Sequence, residues 1–208
     1  QQPAGLGLPA SRAAATANAI QGAAARANAA VVDTTAVESD NAASCTFAAA
    51  VIDGSVIVFG NVGDSRVYWV PDDRTGPPAR LTEDDSWAAQ MVAAGTLTED
   101  EARTSPRRNV ITRAVGIGAE ARPELVSGAL RSGDRLLLCS DGLTEHLGED
   151  DLAQALGSEV PAELLAENLL HETLNRGARD NVSVIVVDCE AVPVADEDMV
   201  KKFAGEFG

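Results

Sequence analysis

Three aspartates stand where a metal-dependent enzyme needs its ligands. Asp141 closes the segment Leu136-Leu137-Leu138-Cys139-Ser140-Asp141-Gly142. Asp180, in Arg179-Asp180-Asn181, directly precedes Val182-Ser183-Val184-Ile185-Val186-Val187. Asp64 lies in Asn61-Val62-Gly63-Asp64-Ser65-Arg66, after the strand-like run Ser55-Val56-Ile57-Val58-Phe59-Gly60. In each case a carboxylate borders an apolar run of strand length. A strand end holds a ligand rigidly, and an ionised oxygen ligand suits Mg²⁺ or Mn²⁺. Taken singly, each reads better as a turn aspartate. Three in similar settings point to a shared metal.

The rest of the chain must position these residues. Residues 1–9 are rich in Gly and Pro and read as loop. Residues 10–32 are dominated by Ala, the best helix former, and predict a helix whose small side chains suit packing on a sheet. Residues 33–43 form a polar, acidic link. Residues 46–52 and 55–70 read as antiparallel strands, with Asp53-Gly54 as a two-residue hairpin turn. Residues 71–79 read as loop. Thr82 predicts the cap of a helix running through Ala94 to Gly95, with Glu83, Asp84 and Asp85 well placed for its N-terminal dipole.

Thr98 predicts the cap of a second short helix, ending near Ala102. Residues 135–140 form a strand apolar on both faces. Residues 149–156 predict a short helix and 161–176 a longer one, with Leu165/Leu169 and Leu170/Leu174 as an inward stripe and Gly177 as a cap. Residues 182–187 read as a final core strand. A charged tail, 191–208, carries a short amphipathic helix at 199–203. There is no internal repeat.

Four segments, in order, resemble the type 2C metal-dependent protein phosphatases, the PPM family. They are Asn61-Val62-Gly63-Asp64-Ser65-Arg66, then Arg108-Asn109-Val110-Ile111-Thr112-Arg113-Ala114-Val115-Gly116, then Gly133-Asp134-Arg135-Leu136-Leu137-Leu138-Cys139-Ser140-Asp141-Gly142-Leu143, then Arg179-Asp180-Asn181-Val182-Ser183. The likeness runs from about Asn41 to Asp188 and is of a bacterial kind. It implies an α+β fold, a four-layer α-β-β-α sandwich of two mostly antiparallel sheets flanked by helices. It implies a phosphatase-like domain over 1–190, with a flap subdomain at about 82–118, followed by the tail.

The resemblance also implies an activity: hydrolysis of phosphoserine or phosphothreonine on a protein substrate, within a cognate kinase circuit. Phosphomonoester hydrolysis needs charge neutralisation and an activated water, and paired divalent metals supply both. The family uses two Mn²⁺ or Mg²⁺ ions, with a third in bacterial relatives. Asp141 and Asp180 resemble the ligands of the first metal, and Asp64 resembles a residue that helps hold the third. Arg66 and Arg113 read as structural or cleft-shaping. Ser65 and Ser140 are not expected to be nucleophiles.

The sequence departs from the family at its start. The family's first strands carry a phosphate-binding Arg, and an Asp-Gly turn follows whose Asp bridges the two metals; nothing here matches either. Asp53-Gly54 reads as a hairpin, so the bridging role is not placed on Asp53. Loss of those strands is expected to open the core, leaving the chain marginal or completed by another segment. The alternative to a phosphatase is a catalytically inactive phosphatase-like binding or regulatory domain.

Composition bounds the remaining options. Hydrophobic residues make up 45% of 208, enough for a core, whereas aromatics at 3% make that core aliphatic. A net charge of −16 disfavours a nucleic-acid partner. Cys45, Cys139 and Cys189 are widely spaced, and His146 and His171 are isolated, so no Cys- or His-based metal site is expected. Reduced thiols, the absence of a signal pattern and the absence of a membrane-length apolar run predict a cytoplasmic protein.

Overall fold

The computed structural model describes residues 9–38, 43–74, 76–118, 121–190 and 201. Helix α1 (Pro9–Glu38) comes first. Strands β1 (Phe47–Asp53), β2 (Val56–Val62), β3 (Arg66–Val70) and β4 (Ala79–Arg80) follow. Helices α2 (Trp87–Ala93) and α3 (Glu99–Thr104) lead to β5 (Glu124–Ala129) and β6 (Arg135–Cys139). The chain ends with α4 (Asp141–Thr144), α5 (Glu149–Leu156), α6 (Ala162–Asn175) and β7 (Val184–Asp188). The helix expected at 199–203 lies outside the described residues, except Lys201.

Two antiparallel sheets are formed, one ordered β1-β2-β5 and the other β4-β3-β6-β7. Their facing sides meet in a core that includes Ile57 and Phe59 from β2, Val67 and Trp69 from β3, and Leu136 and Leu138 from β6. The opposite side of the second sheet, Tyr68, Leu137 and Cys139, packs on Leu143, Leu152, Leu156, Leu165 and Leu169 of the helices. On the other flank, Ala13 and Ile20 of α1 cover Val56 and Val58 of β2. Strand alternation thus feeds two cores at once, and the layers run α-β-β-α as expected.

Alanine explains how closely α1 lies. Ala13, Ala17, Ile20, Ala24, Ala27 and Val31 recur at three- and four-residue steps on one side, and side chains this small let the helix rest on the sheet. Arg12 fastens it to the hairpin, donating from Nε to Asp53 Oδ2 at 2.7 Å and from its terminal nitrogen to the Asp53 carbonyl at 2.9 Å. The helix runs to Glu38, past the link expected to begin at Asp33.

Several other expectations need correction. Residues 55–70 do not form one continuous strand region: the chain leaves the first sheet after Val62 and enters the second at Arg66. The hairpin turn is displaced by one residue, since Asp53 pairs with Val56 and Gly54 takes φ +64°. Strand β5 has no counterpart in the sequence reading, because Ser127 and Gly128 break its apolar pattern.

Helix α2 starts at Trp87 and is capped by Ser86, whose Oγ accepts from Ala89 N at 3.1 Å. Thr82 instead accepts from Val67 N at 3.1 Å in the sheet. Thr98 does cap α3, in a reciprocal pair with Glu101, and α3 extends to Thr104. On α6 the inward residues are Leu165, Leu169 and Thr173, whereas Leu174 is half exposed. Strand β7 is an edge rather than a central strand, and Ile185 is 57% exposed on it.

Candidate metal centre and active site

The second sheet's central ladder aims two of the three aspartates. Arg66 pairs with Cys139 across β3 and β6. Two residues beyond that pair, Asp64 and Asp141 leave the sheet side by side. Asp64 sits on the crossover between the sheets, where Gly63 adopts φ +108°. The turn also runs against Thr46, which occupies the space that a Cβ at position 63 would need. Only glycine meets both demands. Gly63 N donates to Asp85 Oδ2 at 2.9 Å, and Asp85 N donates to the Gly63 carbonyl at 3.0 Å, so the turn is held from both sides.

Asp141 opens α4 directly after β6, and Asp180 lies in the loop before β7. Ser140 joins these two segments. Its N donates to the Ser183 carbonyl at 3.1 Å, its Oγ accepts from Ser183 N at 3.0 Å, and the same hydroxyl donates to the Asn181 carbonyl at 3.3 Å. A Cβ at Gly142 would overlap the Asn181 carbonyl oxygen. Glycine at 142 therefore lets the Asp180 loop press against the start of α4. Asp180 braces its own turn by accepting from Asn181 N at 2.7 Å.

The electrostatics follow from this crowding. Asp64 is 8% exposed. Burial first, then the charges of Asp141 and Asp84, push its carboxyl up to about 6, against the pull of Arg66. Burial also raises Asp141, with Glu145 and Asp180 adding repulsion. Among the described residues none of Asp64, Asp141 and Asp180 has an ion-pair partner. Asp141 is the middle member, coupled to both others. The three do not close into a finished cage: among the described residues no three acidic, His or Cys side chains converge closely enough to hold a metal unaided.

The arginines are committed elsewhere. Arg66 forks onto Asp84 with contacts of 3.0 and 2.7 Å and donates to the Tyr68 hydroxyl at 3.3 Å. Burial opposes its charge, but the Asp84 fork outweighs burial and raises its pKa. Arg113 donates to Asp85 Oδ2 at 2.8 Å and to the Arg122 carbonyl at 3.0 Å. Both side chains hold acidic residues of the segment after β4. The Ser65 and Thr46 hydroxyls share a hydrogen bond of 2.9 Å. Among the described residues neither Ser65 nor Ser140 has a basic side chain on its hydroxyl.

Sequence reasoning missed Glu145 and misplaced Asp84 and Asp85. Glu145 lies four residues after Asp141, a helical spacing that was legible, and accepts from Asn109 Nδ2 at 2.5 Å. Asp84 and Asp85, read as helix-dipole partners, serve Arg66, Arg80, Arg113 and the Gly63 turn instead. Asp53 lies at the far end of the β1–β2 hairpin from Asp64 and is tied to Arg12.

Comparison with known proteins agrees with the architecture. The family model for protein phosphatase 2C matches residues 7–176, and the chain belongs to that family. It is 36% identical over 143 residues to the serine/threonine protein phosphatase PstP of Mycobacterium tuberculosis, covering 69% of this chain and 27% of that protein. The Streptococcus agalactiae serine/threonine phosphatase superposes with a TM-score of 0.76 at 33% identity, covering 82% of this chain and 69% of that one. The catalytic domain of PstP, solved in complex with 2 manganese ions, superposes at 0.67 with 32% identity, covering 77% of this chain and 66% of that one. The chain spans 58% of a type 2C relative from Streptococcus pyogenes, so it represents part of such a protein's length.

Proposed function

We propose that this chain carries the larger part of a Mn²⁺- or Mg²⁺-dependent serine/threonine protein phosphatase. The observation that carries the reading is that Asp141 is charge-coupled both to Asp64 and to Asp180 at one end of the sandwich. Their charges oppose one another, burial raises two of them, and among the described residues none of the three has an ion-pair partner. An all-oxygen, like-charged, half-desolvated donor set fits a hard divalent cation. The family membership and the manganese-bound relative support the same assignment.

Asp141 and Asp180 would hold the first metal, with Asp64 beside them for a further ion. When bound, such ions supply Lewis acidity for the phosphoryl oxygens and an acidified water. The protein's part is positional. The Gly63 turn and the Ser140–Ser183 clasp fix the carboxylates before any ligand arrives, which removes reorganisation from the reaction. Glu145 keeps Asn109 at the rim.

The substrate is a phosphoserine- or phosphothreonine-bearing protein supplied by a kinase, and residues of about 82–118 act as a flap beside the cleft. No helix among the described residues is long and apolar enough to cross a membrane. The three cysteines are free, which suits a reducing cytoplasm.

The test is Mn²⁺-dependent phosphate release from a phosphothreonine peptide, with Asp141→Asn as control. Release that vanishes in the variant and on chelation is expected. Release that the substitution leaves unchanged would refute the site.

A further inference from the structure

In a chain with 32 acidic and 16 basic residues, a cation without an acidic partner needs a reason. Arg66, Arg80, Arg113, Arg135 and Arg176 all hold carboxylates. Arg103, Arg107 and Arg108 hold none among the described residues, although all three are exposed and Glu99 lies one helical turn before Arg103. With Arg113 they place four arginines within eleven residues, the densest positive segment of the sequence.

The segment is moored to the active-site end. Asn109, next to Arg108, donates to Glu145, which raises Asp141 by its charge. Thr112 N donates to the Asp85 carbonyl at 2.7 Å, and the Asp85 side chain holds the Gly63 turn. Trp87 N donates to the Val110 carbonyl at 2.8 Å. The backbone that follows Arg107 and Arg108 is therefore tied to the end of the sandwich that holds Asp141.

One of them is pre-positioned. The Arg107 guanidinium carbon lies 5.5 Å from the centroid of the Trp87 ring. This cation–π contact holds the plane of the group and leaves its N–H edges free. A guanidinium edge matches a carboxylate in a two-point hydrogen bond. Ser105 fixes the intervening turn, accepting from Arg107 N on Oγ at 3.2 Å and from Arg108 N on its carbonyl at 3.1 Å.

We infer that Arg103, Arg107 and Arg108 form a recognition subsite for acidic residues flanking the phosphorylated residue of a protein substrate. The inference rests on the phosphatase reading and adds a substrate class, acidic phosphosites. The physical need is plain. A protein of net charge −16 repels an acidic partner at long range, so attraction to one has to come from local cations acting within a Debye length, about 10 Å at ~0.1 M salt.

The experiment is fluorescence anisotropy with two phosphothreonine peptides of equal length, one flanked by glutamates and one by glutamines. Both are titrated with the 208-residue chain in EDTA, so that neither peptide is hydrolysed, at low and at high salt. The acidic peptide is expected to bind about tenfold more tightly at low salt, with the margin shrinking as salt rises. Arg103→Gln/Arg107→Gln/Arg108→Gln should erase the margin, and Arg108→Glu should transfer preference to a lysine-flanked peptide. Circular dichroism melts show that each variant is folded. Equal binding of the two peptides by the unaltered protein overturns the inference, as does a margin that survives the triple substitution. Hydrolysis of p-nitrophenyl phosphate by the unaltered protein reports separately on the phosphatase reading. If the peptides are discriminated but the full-length protein containing this chain does not hydrolyse that ester, the catalytic reading falls and the subsite stands.

Discussion

Arg135 offers the sharpest test of how the second sheet is braced, at the end of β6 remote from the aspartates. Its side chain is 1% exposed, on the central strand β6. It donates to both oxygens of Asp188 on β7, at 2.5 and 2.9 Å. It also donates to the carbonyls of Leu156, Ser158 and Val160, at 3.2, 2.9 and 2.7 Å. One guanidinium thus joins two strands to the loop between α5 and α6.

Arg135→Met removes that cation from a buried site and leaves Asp188 charged. Breaking a buried pair from one side costs about 3–5 kcal/mol. Two features place the loss near the lower bound. Asp188 keeps the Ala162 amide at 3.1 Å and 23% side-chain exposure. The Ser158 carbonyl keeps Arg74 at 2.7 Å. A loss of ~3 kcal/mol is a large share of a domain's stability, and at this length it lowers the melting temperature by about 6–12 °C.

The acid limb supplies a second readout. The Arg135 hydrogen bonds hold the Asp188 carboxyl below the usual range, against burial. A depressed folded-state pKa gives stability that is present above the unfolded carboxylate pKa, about 3.9, and lost as pH falls through the folded value. Urea melts from pH 7 down to pH 3 should show this acid dependence weakened in Arg135→Met. Arg135→Met/Asp188→Leu should recover part of the loss, since no charge is left stranded. A single variant that loses under 1 kcal/mol at unchanged m, or a double variant less stable than the single, refutes the reasoning.

Two further predictions concern the acidic cluster. Gly142→Ala sets a methyl group against the Asn181 carbonyl; the expected outcome is a stability loss of about 1–3 kcal/mol together with weaker Mn²⁺ binding by calorimetry, because the Asp180 loop is pushed from Asp141. Mn²⁺ affinity equal to that of the unaltered chain would count against the close approach. Asp64 titrates near 6 when metal-free, above its unfolded value, so its contribution favours folding below the unfolded pKa and is lost as pH rises through the folded one. With chelator present, Asp64→Asn should therefore be more stable than the unaltered chain at pH 7, by about 1–3 kcal/mol, with the gap closing by pH 4. Thermal melts at both pH values check the sign, and a variant less stable at pH 7 contradicts it.

Much of this architecture is carried by local pattern. The alanine stripe of α1 and the all-apolar β6 each needed only their own residues. So did the Thr98–Glu101 box on α3 and the acidic start of α5, since their periodicities and caps are short-range signals. The strand-end settings of Asp64, Asp141 and Asp180 were legible for the same reason. Strand β5 was not, because Ser127 and Gly128 give it little apolar contrast and its partner β2 lies more than sixty residues away. The cap of α2 moved from Thr82 to Ser86 because Thr82 serves the sheet by satisfying Val67 N, a partner that no local window contains.

The sequence by itself determined the types of chemical group and their placement at the ends of apolar runs. Hydrophobic period and turn chemistry are properties of neighbouring residues. Tertiary structure alone decided which ends meet. The crossover at Gly63 sends β2 and β3 into different sheets, the β3–β6 register brings Asp64 beside Asp141, and the absent Cβ at Gly142 admits the Asp180 loop. The raised pKa of Asp64 and the commitment of Arg66 to Asp84 belong to that same level, because burial and Coulomb forces depend on distance through space and not along the chain.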